Sequence, residues 1–174
     1  HGIEIEADSD FRNFHVPCGQ RYAPSDHMIE GDYSSAAFLL AAAAITNSKI
    51  RVTNLREDSL QGDRVIVDLL KEMGVKIEVE KNLVEVEGAE AHLQPFDVDL
   101  RDNPDLVPVC AALACFAYGR STIRGVKRLR FKESDRIAAL LGEFTKMRVK
   151  VRVVDDAMEI ESDGRPHGAE LSSH

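Results

Sequence analysis

The chain has 174 residues, 44% of them apolar and 30% charged, and carries a net charge of −8. Such a composition fits a globular protein with one good core or two small lobes. The acidic balance argues against general binding to nucleic acid or to an anionic membrane. The most apolar run, Ala36 to Ile45, is too short to span a bilayer.

In chain order, residues 1–27 read as the terminal hairpin of a preceding repeat. His1-Gly2-Ile3-Glu4-Ile5-Glu6 has the pattern of Met73-Gly74-Val75-Lys76-Ile77-Glu78. A chain opening where a repeat's second helix would be ending is expected to be a segment of a longer polypeptide. Residues 28–100 and 101–174 then read as two full copies of one unit. AAAAITNSKIRV (Ala41 to Val52) matches AALACFAYGRSTIRG (Ala111 to Gly125), each a small-residue helix, a polar turn and a strand centred on Ile-Arg. Asp63-Arg64 and Asp135-Arg136 each open an amphipathic helix, and the hairpin strands LVEVEG and AMEIES close the two copies.

The second helix of each unit has one apolar face: Ile66, Leu69, Leu70 and Met73 in the first copy, Ile137, Leu140, Leu141 and Phe144 in the second. The first helix, Tyr33 to Ile45 and Leu106 to Tyr118, is apolar nearly all round and must be covered on every side. Strands are predicted at Ile50–Val52, Val75–Val79, Val84–Val86, Val149–Val153 and Met158–Ile160. Together these predict an α/β (α+β) fold of repeated βαβαββ units with sheets outside buried helices, an inside-out barrel. Gly31 with Asp32, and Pro104 with Asp105, mark the starts of the buried helices.

Cys18, Cys110 and Cys115 cannot all pair, and the last two fall in a helical pattern where cysteine acts as a small apolar core residue. No C-x-x-C or His-x-x-x-His spacing occurs, and no secretion signal is visible, so a reduced, cytoplasmic protein without a structural metal is expected.

Charge is uneven along the chain. Arg124, Lys127, Arg128, Arg130, Lys132 and Arg136 set six cations against Glu133 and Asp135. A basic island on an acidic protein suggests a confined site for a small anion, or else a solvated face whose cations never converge. Lys132-Glu133-Ser134-Asp135-Arg136 stands at one helix start and Asp105 at another. Asp105 read alone is either an N-cap or an acid–base group.

EGDYSSAAFLLAAAAI (Glu30 to Ile45), DNPDLVPVCAALA (Asp102 to Ala114) and RFKESDRI (Arg130 to Ile137) resemble motifs of the 5-enolpyruvylshikimate-3-phosphate synthase family, also called 3-phosphoshikimate 1-carboxyvinyltransferases. The likeness covers almost the whole chain in order, and KESDR is its most specific element. It implies two lobes, each of three βαβαββ units with helices inside. It also implies enolpyruvyl transfer from phosphoenolpyruvate to the 5-hydroxyl of shikimate 3-phosphate, a step of aromatic amino-acid biosynthesis. The chemistry needs a group to protonate the methylene carbon, a group to take the hydroxyl proton, and cations to hold two phosphates and a carboxylate; it needs no redox cofactor and no metal. The resemblance nominates Asp105 as proton acceptor and Glu133 as proton donor, Lys132 at the phosphoshikimate and Arg136 at phosphoenolpyruvate, with the order of acid and base left open. The flanking Lys132 and Arg136 lower the pKa of Glu133, so burial or substrate charge must counteract them.

Arg128 stands where many family members carry an asparagine at the shikimate ring. Asp32 is read as a helix cap and Asp63-Arg64 as structural. Ser34 and Ser35 are read as satisfying helix backbone, and Arg51 and Arg124 as exposed. The parent enzyme is expected to be a monomer, with further cations from segments outside this chain, so the segment alone is expected to be inactive. The alternatives are a UDP-N-acetylglucosamine 1-carboxyvinyltransferase-like enzyme, whose branch lacks the Lys-Glu-x-Asp-Arg arrangement, and a non-catalytic scaffold of the same fold.

Overall fold

A computed structural model describes residues 1–89 and 91–172. Glu90 of the first unit, and Ser173 and His174 at the end of the second, lie outside the described residues. The chain begins with β1 (Glu6–Ala7) and β2 (Phe14–His15), a two-residue antiparallel ladder with both strands exposed. Among the described residues, the hydrophobic core begins only at Tyr33.

The first repeat runs α1 (Tyr33–Thr46), β3 (Lys49–Thr53), α2 (Val65–Glu72), β4 (Val75–Glu80) and β5 (Leu83–Ala89). The second runs β6 (Asp97–Asp99), α3 (Val107–Phe116), β7 (Tyr118–Arg124), α4 (Arg136–Lys146), β8 (Lys150–Val154) and β9 (Ala157–Asp163). The two sheets have the same plan. The order β3-β5-β4 in one answers β7-β9-β8 in the other, antiparallel throughout, and β6 adds a parallel edge strand to β7.

That edge strand modifies the expected organisation. Pairing of Asp97 with Thr122 and Asp99 with Arg124 ties residues 97–99 to the second sheet, although the sequence reading ends the first unit at residue 100. In the first repeat the equivalent stretch before α1 forms no strand. Instead Asn54 Nδ2 donates to the Ile29 carbonyl at 3.1 Å, and the Gly31 N–H donates to the Asn54 carbonyl at 2.6 Å. A side chain at Gly31 would bring its Cβ to 2.9 Å from that oxygen, so the close approach requires glycine.

Sheets lie outside and helices inside. β3 and β8 alternate exposed and half-buried residues, with Lys49, Arg51, Lys150 and Arg152 pointing outward. α1 packs on β5 and on α3, and α3 packs on β9. Leu113, Cys110, Ala111, Ala114 and Cys115 of α3 are fully buried. α1 is covered less completely than its composition predicts: Tyr33, Ala37 and Leu40 are buried, but Phe38 and Leu39 are 59% and 50% exposed.

The second apolar helix is also shorter than predicted. Leu106 belongs to a preceding 3₁₀ turn, and Tyr118 starts β7 and is exposed. The chain becomes extended at Ala117, and the Tyr118 N–H donates to the Leu93 carbonyl at 2.9 Å. Recruitment into the sheet stops the helix there. Among the described residues, no helix is long and apolar enough to cross a membrane.

Charged residues on the sheets pair across strands. Glu85 of β5 is the most buried of these and binds Lys49 at 2.5 Å and also Arg51, both on β3. These two cations, Lys49 first, hold its carboxyl below the usual range. Such a depressed pKa stabilises the fold above the unfolded pKa and is lost as pH falls through the folded one. Substituting Leu113→Ala at the centre of the buried helix should cost about 2–5 kcal/mol, read as a shift of the denaturation midpoint in urea.

Candidate active site

Two helix starts present the charged residues singled out in the sequence. Pro104 sits at the first position of the 3₁₀ turn Pro104–Leu106 that opens α3, where its missing N–H is no loss. No side chain caps this turn or α3, so Asp105 is not a cap. Its Oδ1 instead accepts from Lys132 Nζ at 3.2 Å and from Arg136 Nη1 at 3.2 Å.

The cations arrive from a 3₁₀ turn at Val126–Phe131 followed by extended backbone at Lys132. Asp135 then caps α4 by accepting from the Ala138 N–H at 3.0 Å, and it takes a second, long contact from Arg130 at 3.5 Å. The cap fixes Arg136 as the first residue of the helix. From there its guanidinium spans two carboxylates: Nη1 on Asp105 and Nη2 on Glu133 at 2.9 Å. Asp105, Lys132, Glu133 and Arg136 therefore form one ion network.

The network faces solvent. The side chain of Glu133 is 82% exposed and that of Asp105 53%, against 29% for Lys132 and 31% for Arg136. Glu133 is held below the usual carboxylate range by its own backbone N–H, then by Arg136 and, more weakly, Lys132. It is thus ionised at neutral pH in the free protein. Two half-buried cations behind two open carboxylates offer an anion a place to bind and a proton a place to go.

The remaining island residues disperse. Arg124 pairs with Asp97 across the β6–β7 edge, and Arg128 Nη1 donates to the Arg101 carbonyl at 3.2 Å. Only Lys132 and Arg136 of the six converge on Asp105. Arg51 and Arg124 are exposed and Asp32 caps α1 through the Ser34 and Ser35 N–H groups, as read from the sequence. The serine hydroxyls go to carboxylates rather than to backbone: Ser35 to Asp32 and Ser34 to Asp63, each at 2.5 Å.

Asp63 also accepts from Asn103 Nδ2 at 3.0 Å, two residues before Asp105. Sequence spacing gives no signal for this contact, which joins positions 40 apart in different repeats. Among the described residues, no three His, Cys, Asp or Glu side chains gather where they could hold a metal ion. Burial pushes the Cys110 and Cys115 thiols up to about 12, which leaves both protonated and inert as nucleophiles.

A family model described as EPSP synthase (3-phosphoshikimate 1-carboxyvinyltransferase) matches residues 1–174. The chain belongs to this family. The 3-phosphoshikimate 1-carboxyvinyltransferase of Methanocaldococcus jannaschii is 41% identical over 170 residues, which cover 98% of this chain and 39% of that protein. The protein of the same name from Methanobrevibacter smithii is 46% identical over 142 residues, covering 82% and 32%. The chain thus spans about two fifths of the EPSP synthases it matches. A solved EPSP synthase structure from Acinetobacter baumannii superposes with a TM-score of 0.83 at 23% identity, covering 99% of this chain and 42% of that one. That likeness establishes the EPSP synthase fold.

Removing the guanidinium by Arg136→Gln should move the titration of Glu133 upward toward the ordinary glutamate range. Carbon-detected NMR of the Glu133 carboxyl checks this, and a titration unchanged from wild type would show that Arg136 does not set its charge.

Proposed function

We propose that this chain carries the acid–base groups and part of the anion site of an enolpyruvyl transferase that joins phosphoenolpyruvate to the 5-hydroxyl of shikimate 3-phosphate. The observation supporting this reading is the single ion network of Asp105, Lys132, Glu133 and Arg136, drawn from two helix starts. Family membership supports the substrates.

Phosphoenolpyruvate brings a carboxylate and a phosphate, and its partner a second phosphate. Arg136 is suited to the planar carboxylate or a phosphate, because its two parallel donors already hold two carboxyl groups in the free protein. An entering anion takes over these donors and loosens Arg136 from Asp105 and Glu133. Lys132, a compact point charge, goes to the phosphate of shikimate 3-phosphate.

The change of partners has an acid–base consequence. Glu133 loses the cation that lowers its pKa and gains anions nearby, and both changes raise its proton affinity. A carboxylate ionised in the free enzyme becomes able to carry a proton to the methylene carbon. Asp105, released from the same guanidinium, accepts the proton of the 5-hydroxyl as its oxygen bonds to C2. Loss of inorganic phosphate, together with a methyl proton taken back by the Glu133 carboxylate, then restores the double bond and gives the enolpyruvyl ether.

Asp105→Asn and Glu133→Gln in the full-length polypeptide should each lower kcat for phosphate release by orders of magnitude, at ~1.4 kcal/mol of barrier per tenfold. Turnover indifferent to both substitutions would refute the assignment. The chain alone should release no phosphate in a saturable manner.

A further inference from the structure

We infer that Asp63, in the first repeat, is a positioning residue for Asp105: it anchors Asn103 and so fixes the turn that presents Asp105. The inference rests on the acid–base role proposed for Asp105 and adds the group that holds it in place.

Asp63 and Asp135 are matched positions of the two repeats, yet they do different things. Asp135 caps its own helix through the Ala138 N–H. Asp63 caps nothing: the residue at the cap of α2 is Arg64, and no side chain bonds to that helix start. Both oxygens of Asp63 are committed elsewhere, Oδ2 to the Ser34 hydroxyl in the first turn of α1 and Oδ1 to the Asn103 amide.

Asn103 shows the complementary behaviour. It stands at the cap of the Pro104–Leu106 turn, a position where asparagine usually bonds its own helix, and makes no such bond. Its side chain goes to Asp63, while its N–H donates to the Leu100 carbonyl and its carbonyl accepts from the Leu106 N–H, at 3.0 and 3.1 Å. Asn103 is thereby fixed through side chain and main chain alike. The neighbour of Asp63 leaves space for this. A Cβ at Gly62 would stand 2.6 Å from Asn103 Nδ2.

The geometry gives Asp105 two references. Lys132 and Arg136 hold its carboxylate from the second repeat. The chain Ser34–Asp63–Asn103 holds its backbone from the first. Catalytic groups need positioning to a fraction of an ångström, and small displacements from remote substitutions are costly.

The test uses steady-state kinetics of the full-length polypeptide. Asp63→Ala and Asn103→Ala should each lower kcat by roughly tenfold to a hundredfold with KM for both substrates little changed. The double variant should be no slower than the slower single one, because both break the same contact. Gly62→Ala, which displaces the Asn103 amide sterically, should reproduce Asn103→Ala. Asp63→Asn should recover most of the rate, since its carbonyl oxygen still accepts from Asn103 and its amide can donate to the Ser34 hydroxyl. Should Asp63→Ala fail to fold, Gly62→Ala and Asn103→Ala carry the same comparison. Unchanged kcat in the variants, a loss confined to KM, or independent additive losses would overturn the inference. Asp105→Asn serves as the separate control: if it retains full kcat, the acid–base reading itself fails, whereas its loss of activity beside active Asn103→Ala defeats only the positioning role.

Discussion

Two helices with almost no polar face, lying side by side, constrain the rest of this structure. α3 buries Cys110, Ala111, Leu113, Ala114 and Cys115 completely, and a helix of that kind is stable only if neighbours cover it. Alanine and other small residues let α1 and α3 approach, and the two sheets close around them. Helix starts, however, leave backbone N–H groups without internal partners. Buried helices therefore gather polar side chains at that end. Asp32 caps α1, Gln61 bonds the Tyr33 N–H and the Gly31 carbonyl at 2.8 Å each, and Asp63 joins Ser34 to Asn103. The proposed site lies at the end of the molecule where building the core already gathers polar groups.

The charges of the molecule divide by what they do for stability. Glu85 on the outer sheet is a carboxylate whose side chain is 11% exposed, held by two cations. Breaking such a pair leaves a shielded charge uncompensated, so it serves the fold. Asp105 and Glu133 are far more open, and exposed ion pairs of this kind contribute little to folding. Their cations are more shielded than they are, an arrangement that keeps positive charge in place when an anion takes over a partner. Four charges gathered at an open rim with little stabilising return are consistent with the anion site proposed above.

The repeat and the inside-out layering were legible in the sequence because each leaves a local signature; so was the charged pentapeptide, but not the convergence of its cations on Asp105. Helix and strand periods alternate at the matched positions, and Lys132, Glu133 and Arg136 are adjacent in the chain. What escaped depends on contacts between distant segments. β6 is three residues, two of them acidic, and exists only because β7 offers it an edge. Tyr118 carries an apolar helical pattern onward, but the Leu93 carbonyl draws it into a strand. The open face at Phe38 and Leu39 follows from which elements surround α1, and composition carries no record of that. Asp63 reads as a degenerate copy of Asp135 because its partners are 29 and 40 residues away.

That pair of aspartates shows how one pattern serves two purposes. In each repeat an Asp-Arg dipeptide stands at the start of the second, amphipathic helix. In the second repeat the aspartate faces its own helix, which leaves Arg136 free to reach across to Asp105 and Glu133. In the first, the aspartate turns inward to two neighbouring elements, while Arg64 stays beside Asp68 at 4.0 Å on its own helix. A cap bond given up at Asp63 and another at Asn103 are local losses that a purely structural duplication would not accumulate together. The two concessions meet in one contact, and that contact sits two residues from Asp105. Stability of the separate helices has yielded to the placement of a single carboxylate.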